Sequence, residues 1–403
     1  SVASRGLGDV YKRQGLSDTA ENDTKVQLSA PHVLLAGAGM PHAFLVTEFR
    51  PSLDIGSPQS AGQSTSSATL TVDADHLDLR DRVRTGISAP AIAGGGEAFD
   101  QRGFDQTYLN STGDVRFLAA AIDDSGITAL TVPGDLMISA AQVYPATGAS
   151  AVVTAGYINN TTLDGTRALR ITRADEGALP ELPYSVFGTL ELRAGVIEQG
   201  GVLRAPLGII RMGALDARLD AAQVTLRPDS LTSVSGAGLV IPYGGTVDDI
   251  AWLYAGEEVD VSAWRAAGPN ASQVQINTEM LDVEEGAVLD LSGGGELLGA
   301  GFVSGRGGST DVRFAPLIRV TKDGVIFPSL ASNPVYAIVP GAASGYAPID
   351  PARGASDPMI GQQIIIGQDV PGLPAGTYTL MPSTYALLPG AFRVEINGGA
   401  LTT

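Results

Sequence analysis

A chain of 403 residues with 44% hydrophobic, 17% charged and 6% aromatic side chains carries 51 glycines, no cysteine and a formal net charge of -18. The missing cysteines exclude thiolate catalysis and cysteine-ligated zinc or iron–sulfur centres. So acidic a surface repels phosphate, which argues against nucleic acid and polybasic membrane docking, and no apolar run approaches the ~20 residues that span a bilayer.

Residues 1–14 (SVASRGLGDVYKRQ) read as a non-native, adapter-derived run and are set apart from the fold. Residues 15–67 are expected to be irregular, with short strands at Val33-Leu34-Leu35 and Phe44-Leu45-Val46 and a loop from Ser57 to Ser64. From Ala68 a rhythm begins. Thr69-Leu70-Thr71-Val72 and His76-Leu77-Asp78-Leu79 alternate apolar with polar residues, the period of a half-buried strand. Similar runs follow at Val115 to Leu118, Ala129 to Val132, Leu136 to Ser139 and Val152 to Thr154.

Thr189 to Arg193, Val202 to Ala205, Ile209 to Met212, Val224 to Arg227 and Leu231 to Val234 continue the pattern. Later come Val274 to Asn277, Met280 to Val283 and Val288 to Leu291, each ended by Gly, Asp, Ser or Pro. Trp252 to Trp264 is the one stretch that suggests a turn of helix, interrupted by Gly256 and closed by Gly268-Pro269. The strand groups recur at roughly 20 residues, which fits coils of a parallel solenoid. The fold expected is therefore all-β, with stacked coils over 68–300, about a dozen of them at ~4.8 Å each. A two-sheet sandwich would need more aromatic filling than this chain has. Residues 301–403 read as a β-rich region with extra-helical hairpins. There Thr377 to Leu380, Tyr385 to Leu388 and Phe392 to Ile396 form a meander broken by Pro382 and Pro389-Gly390. Tyr378, Tyr385 and Phe392 recur every seven residues and are expected to gather on one face.

Candidate chemistry is sparse. His32, His42 and His76 are scattered, whereas a zinc site wants three or four convergent ligands. No Gly-x-Ser-x-Gly elbow occurs. Carboxylate pairs stand at Asp123-Asp124, Asp175-Glu176, Asp248-Asp249, Glu257-Glu258 and Glu284-Glu285, but neighbours on a strand face opposite ways. Asp73 and Asp75 could share a face and bind a cation, but a solvated turn is the expectation for them. Gly94-Gly95-Gly96 and Gly293-Gly294-Gly295 read as turns, because neither has the lysine or strand–helix setting of a phosphate loop. Asn110-Ser111-Thr112 and Asn160-Thr161-Thr162 match a glycosylation sequon, a short pattern that carries little weight by itself. The sequence thus assigns no catalytic, cofactor-binding or metal-ligating residue, and no enzyme activity.

Leu373-Pro374-Ala375-Gly376-Thr377-Tyr378-Thr379-Leu380-Met381-Pro382, leading into Tyr385 to Phe392, resembles the C-terminal region of filamentous haemagglutinin-like adhesins. Gly201 to Gly208, Leu231 to Gly245, Val288 to Glu296 and Tyr336 to Gly341 resemble the same family, in the expected order. The resemblance covers roughly Ala68 to Thr403. It implies a right-handed parallel β-helix, secretion to the bacterial cell surface by two-partner export, and attachment to surface glycans or proteins. The family's secretion domain with its Asn-Pro-Asn motifs is not seen, so the outer-membrane β-barrel transporter would engage a region outside this sequence. Lack of cysteine suits passage through a periplasm unfolded, where a disulfide would block export. The fold leaves two other readings open: a β-helical enzyme acting on polysaccharide, and the stalk of a contact-dependent toxin exoprotein.

Overall fold

The computed structural model describes residues 25–37, 67–85, 103–121, 126–159, 162–214, 221–247, 250–254, 257–259, 272–303, 305–314, 319–322, 324–326, 333–342, 347–348 and 360–395. Among them the regular structure is β-strand apart from one 3-10 helix, Ser383–Leu387. The expected segments at 1–14, Phe44 to Val46 and Ser57 to Ser64 lie outside the described residues. Two compact units divide the chain. The first comprises residues 1–180, 185–235 and 271–293; the second comprises 181–184, 236–270 and 294–403.

The first unit is a parallel β-helix with three faces. On the first face, the leading halves of Lys25–Ala36 and Thr69–Arg80 stack in parallel with Gln106–Ser111, Asp135–Ala140, Ala168–Arg173, Val196–Gly200, Ala221–Leu226 and Thr278–Val283. The second face continues the same two long strands and adds Asp114–Phe117, Gln142–Pro145, Val202–Arg204, Leu231–Ser233 and Val288–Asp290. Arg82–Arg84, Ile127–Thr131, Ser150–Thr154, Thr189–Arg193, Ile209–Met212 and Gln273–Ile276 form the third.

Alternation decides which side chains point inward, and register stacks them. Leu70, Thr107, Leu136, Leu169, Ile197 and Val224 occupy one column on the first face, none more than 1% exposed. Leu77, Val115, Val143 and Leu203 form the second column, and Val83, Leu130, Val153, Leu192 and Met212 the third. These columns meet in one continuous core. Branched aliphatic side chains suit it because each coil contributes one layer only ~4.8 Å deep, too thin for many aromatics.

The structure departs from the sequence expectation in several places. Thr69–Arg80 is one continuous strand across two faces, where two short ones were expected, because the corner at Ala74 and Asp75 keeps an extended backbone. Lys25–Ala36 is likewise a 12-residue strand rather than the short run at Val33 to Leu35. The coil step is longer than the expected ~20 residues. In-register partners lie 28 apart at Asp114 and Gln142, 37 at Asp73 and Asn110, and 57 at Ser233 and Asp290. Each coil holds up to three strands, and variable insertions leave from its corners, so the expected dozen coils become fewer and larger ones. Finally, Trp252 belongs to the strand Ala251–Tyr254, not to a helical turn; Trp264 lies outside the described residues.

One insertion changes the stacking itself. Between Ala168–Arg173 and Thr189–Arg193 the second face has no strand, so Leu203 pairs directly with Val143 across the missing layer. The chain is anchored on its return by Ser185 Oγ, which donates to the Pro145 carbonyl at 2.5 Å, and by Val186 O, which accepts from Gly148 N at 2.9 Å.

Coils packed this closely leave no room for a side chain at some corners. A Cβ on Gly208 would overlap the Gly188 carbonyl oxygen, a backbone atom with no rotamer to yield. Gly208→Ala is expected to lower stability by about 1–3 kcal/mol, the range of overpacked sites, and a urea titration followed by circular dichroism checks it.

In the second unit, Val240–Val247 pairs antiparallel with Ala251–Tyr254 and parallel with Glu296–Ala300. Val335–Ile338 lies between Met381–Pro382 and Phe392–Glu395, and Gln363–Ile366 forms a hairpin with Gly376–Thr379. These are the hairpins expected near the C-terminus. Tyr385 to Leu388, however, is not a strand. Pro382 opens the 3-10 helix Ser383–Leu387 there, and a proline with φ fixed near -50 favours that tighter turn. Tyr378 and Phe392 pack on the Tyr336, Ile338, Leu373 and Leu380 cluster, while Tyr385 meets Tyr184 edge-on at 5.4 Å. The expected three-ring cluster is therefore split, because the helical turn redirects Tyr385.

Candidate functional site

The unusual feature of the β-helix is a polar seam along its second face. Alternation within Leu77-Asp78-Leu79, Val115-Arg116-Phe117 and Leu203-Arg204-Ala205 sends the aliphatic residues inward and the charged residue outward. Register then aligns Asp78 with Arg116 and Arg116 with Tyr144, and further along it aligns Arg204 with Ser233 and Ser233 with Asp290. Outward charges on a solenoid are normally wet. Here Asp78 and Arg116 are each 3% exposed.

Arg116 grips Asp78 with two donors, Nε to Oδ1 at 2.9 Å and Nη2 to Oδ2 at 3.2 Å. His32, from the preceding coil and half exposed, places Nε2 3.1 Å from the same Oδ2. One strand corner away, Asp114 Oδ2 accepts from Gln142 Nε2 at 3.2 Å and from Tyr144 OH at 3.1 Å. Arg204 Nη1 donates to Gln142 Oε1 at 2.9 Å and to the Pro180 carbonyl at 2.8 Å, which draws the 174–180 segment into the seam. Farther along, Asp290 Oδ2 accepts from Ser233 Oγ at 2.9 Å.

Burial moves the titration of this group. It pushes the Asp114 carboxyl up from its ordinary 3.8, against the pull of the Gln142 and Tyr144 donors and of the His76 and Arg116 charges. His76 is pushed down from 6.5, first by burial, with Asp114 opposing and His32 and Arg116 assisting. Arg204 is lowered by burial, with Asp114 and Asp290 opposing. A raised carboxyl electrostatically coupled to a lowered imidazole occurs in active sites as well as in structural networks.

Signs follow directly. A carboxyl raised on folding contributes stability below 3.8 that is lost as pH rises through its folded value. A histidine lowered on folding contributes stability above 6.5 that is lost as pH falls through its folded value. Asp114→Asn is therefore expected to be more stable than the parent at pH 7, with the difference vanishing below about pH 3.8. Melting temperatures of the two proteins across pH 3–8 check this.

The carboxylates singled out from the sequence are not gathered here. Asp73 lies within the strand Thr69–Arg80 rather than at a turn; its Oδ2 accepts from Gln27 at 2.8 Å and its Oδ1 from Asn110 at 2.9 Å. Asp75 accepts from Thr112 at 3.2 Å. Asp175 caps Gly177 N, and Glu284 pairs with Arg227 at 2.6 Å. Glu176, Glu258 and Glu285 are exposed, and Gly293 to Gly295 are an exposed loop. Asn110 is taken up by Asp73. His42, Asp123-Asp124, Asp248-Asp249, Gly94 to Gly96 and Asn160-Thr161 lie outside the described residues. Among the described residues, no group of three or more His, Asp or Glu is placed to hold a metal ion.

A second polar ladder crosses the first face, where Arg170 meets Glu198 at 3.1 Å and Arg227 bridges Glu198 at 2.9 Å to Glu284 at 2.6 Å. These pairs are open to solvent, where screening leaves them little weight in stability. Asp78, Asp114, Arg116, Gln142, Tyr144 and Arg204 were not picked out from the sequence. For Asp78, Arg116 and Arg204 the signal was a charged residue between two apolar ones, in a chain with few charges; Asp114, Gln142 and Tyr144 had no such signal. No family model, curated protein or solved structure matches the chain.

Proposed function

We propose that this chain is part of the non-catalytic β-helical scaffold of a secreted bacterial surface adhesin, of the filamentous haemagglutinin-like kind. It would reach the surface through an outer-membrane β-barrel transporter and attach to glycans or proteins. The observation that carries the scaffold reading is the Asp78–Arg116 pair. Its bidentate bond joins two successive coils, and both side chains are nearly sealed from solvent. Asp114, Gln142 and Arg204 extend the same tie across further layers. Charges that bind coil to coil stiffen a stack, which is what a presenting scaffold requires. The adhesive role is supported by the motif resemblance.

A second reading, a polysaccharide-acting enzyme, is favoured by the opposed shifts of Asp114 and His76. Purified protein immobilised on a surface and challenged with neutral and acidic glycans separates the two. Saturable retention with unchanged glycan chain length supports the scaffold. Chain shortening, seen as new reducing ends or unsaturated ends, supports the enzyme and would withdraw the scaffold proposal.

A further inference from the structure

We propose that the β-helical unit associates head to tail with a second copy of this chain, the C-terminal end of one coil stack seating on the N-terminal strand of the next. Among the described residues, Lys25–Ala36 pairs on one side only, with Thr69–Arg80. At the other end, Thr278–Val283 pairs only with Ala221–Leu226, and Val288–Asp290 only with Leu231–Ser233. Among the described residues, each end thus presents a strand edge whose backbone groups have the pattern of an unfinished parallel ladder.

Apolar columns run out at the same place. Leu281 continues the column of Leu169, Ile197 and Val224, yet it is 49% exposed; Val283 is 53% and Leu289 42% exposed. Opposite them, Val26, Leu28 and Val33 are only partly buried on the first layer of the core. Register makes these two ends fit. Val26 stacks on Leu70 and Val33 on Leu77, in the columns that end at Leu281 and Leu289. One further step of the ladder would set Val26 of a second copy over Leu281, Leu28 over Val283 and Val33 over Leu289. Gln27, which donates to Asp73 in its own chain, would lie over Asp282. Pro31 falls at the corner between the two halves and is skipped by the existing register, so its missing N–H does not interrupt the pairing.

Charge selects the orientation. The strand Lys25–Ala36 contains Lys25 and no carboxylate, whereas Thr278–Val283 and Val288–Asp290 contain Glu279, Asp282 and Asp290 and no cation. Two C-terminal ends would repel one another; an N-terminal end attracts a C-terminal one. The contact is heterologous, so it leaves a further end open on each side and does not close at a fixed number.

Sedimentation velocity of the full chain tests this with two blocked variants. Leu281→Lys with Leu289→Lys blocks the C-terminal end at half-exposed positions, and Lys25→Glu with Val26→Glu blocks the other. The parent is expected to form dimers and larger species that grow with concentration. Each blocked variant alone is expected to be monomeric, and an equal mixture to stop at a one-to-one dimer. A C-terminally blocked protein that still associates, or a mixture that stays monomeric while both variants keep the parent's circular dichroism, overturns the proposal. Hydrogen exchange on the parent needs no variant. Amides of 278–283 and 288–290 should slow as concentration rises; protection that is already complete in dilute monomer would show that the chain covers this end itself, and would also overturn it.

Discussion

Replacing Asp78 by alanine is expected to destabilise the β-helix by about 3–5 kcal/mol, the range for removing one partner of a buried ion pair. The reason is asymmetric. Arg116 is 3% exposed, and without the carboxylate that takes its Nε and Nη2 donors its charge stays buried with its bidentate partner gone. Exchanging both residues for apolar ones, Asp78→Leu with Arg116→Met, is expected to recover most of that loss, because a buried pair and a packed apolar pair of similar volume differ little. Denaturant midpoints of Asp78→Leu, Arg116→Met and the double variant form the cycle that measures the coupling, with Asp78→Ala measured beside them. A single-variant loss below ~1 kcal/mol would show that water reaches the pair, and the seam would then be an open groove rather than a tie.

The second large effect is in the core. Leu169→Ala removes a fully buried side chain held between Leu136 and Ile197 in its column, and is expected to cost about 2–5 kcal/mol. Leu281→Ala, at the end of the same column but 49% exposed, is expected to cost less than ~1 kcal/mol, because the site is already half solvated. The comparison works because a solenoid's stability is a sum over neighbouring layers, so position within the stack sets the penalty for one and the same substitution. Melting curves of the two variants measured side by side give the contrast; equal losses would contradict the stacking order described above.

Much of the fold was legible in the sequence because a strand announces its two faces by alternation. Leu190-Glu191-Leu192 and Ile209 to Met212 needed no tertiary information to be read as strands. The coil length was not legible, since nothing local marks which strand lies above which. Ser233 pairs with Asp290, 57 positions along the sequence, and most of the residues between them form an insertion with its own strands. Long-range register of that kind is decided by core columns, not by turns.

The seam was hidden for the same reason. Asp78, Arg116 and Arg204 are each visible as a charge flanked by apolar residues, but only stacking brings Asp78 under Arg116, and only the skipped layer brings Pro180 to Arg204. Carboxylate pairs adjacent in sequence drew attention instead, and alternation disperses them. The 3-10 turn at Ser383–Leu387 illustrates the opposite limit. Local alternation in Tyr385 to Leu388 suggested a strand, and the proline before it prevailed.

The claim at the centre of this account is that Asp114 and its neighbours join coils and do not act on a substrate. The direct measurement is glycan retention and glycan chain length for the parent and for Asp114→Asn, with folding verified by melting temperature. The account predicts equal retention by both proteins and no shortening by either. Shortening by the parent that disappears in a fully folded Asp114→Asn variant would contradict it.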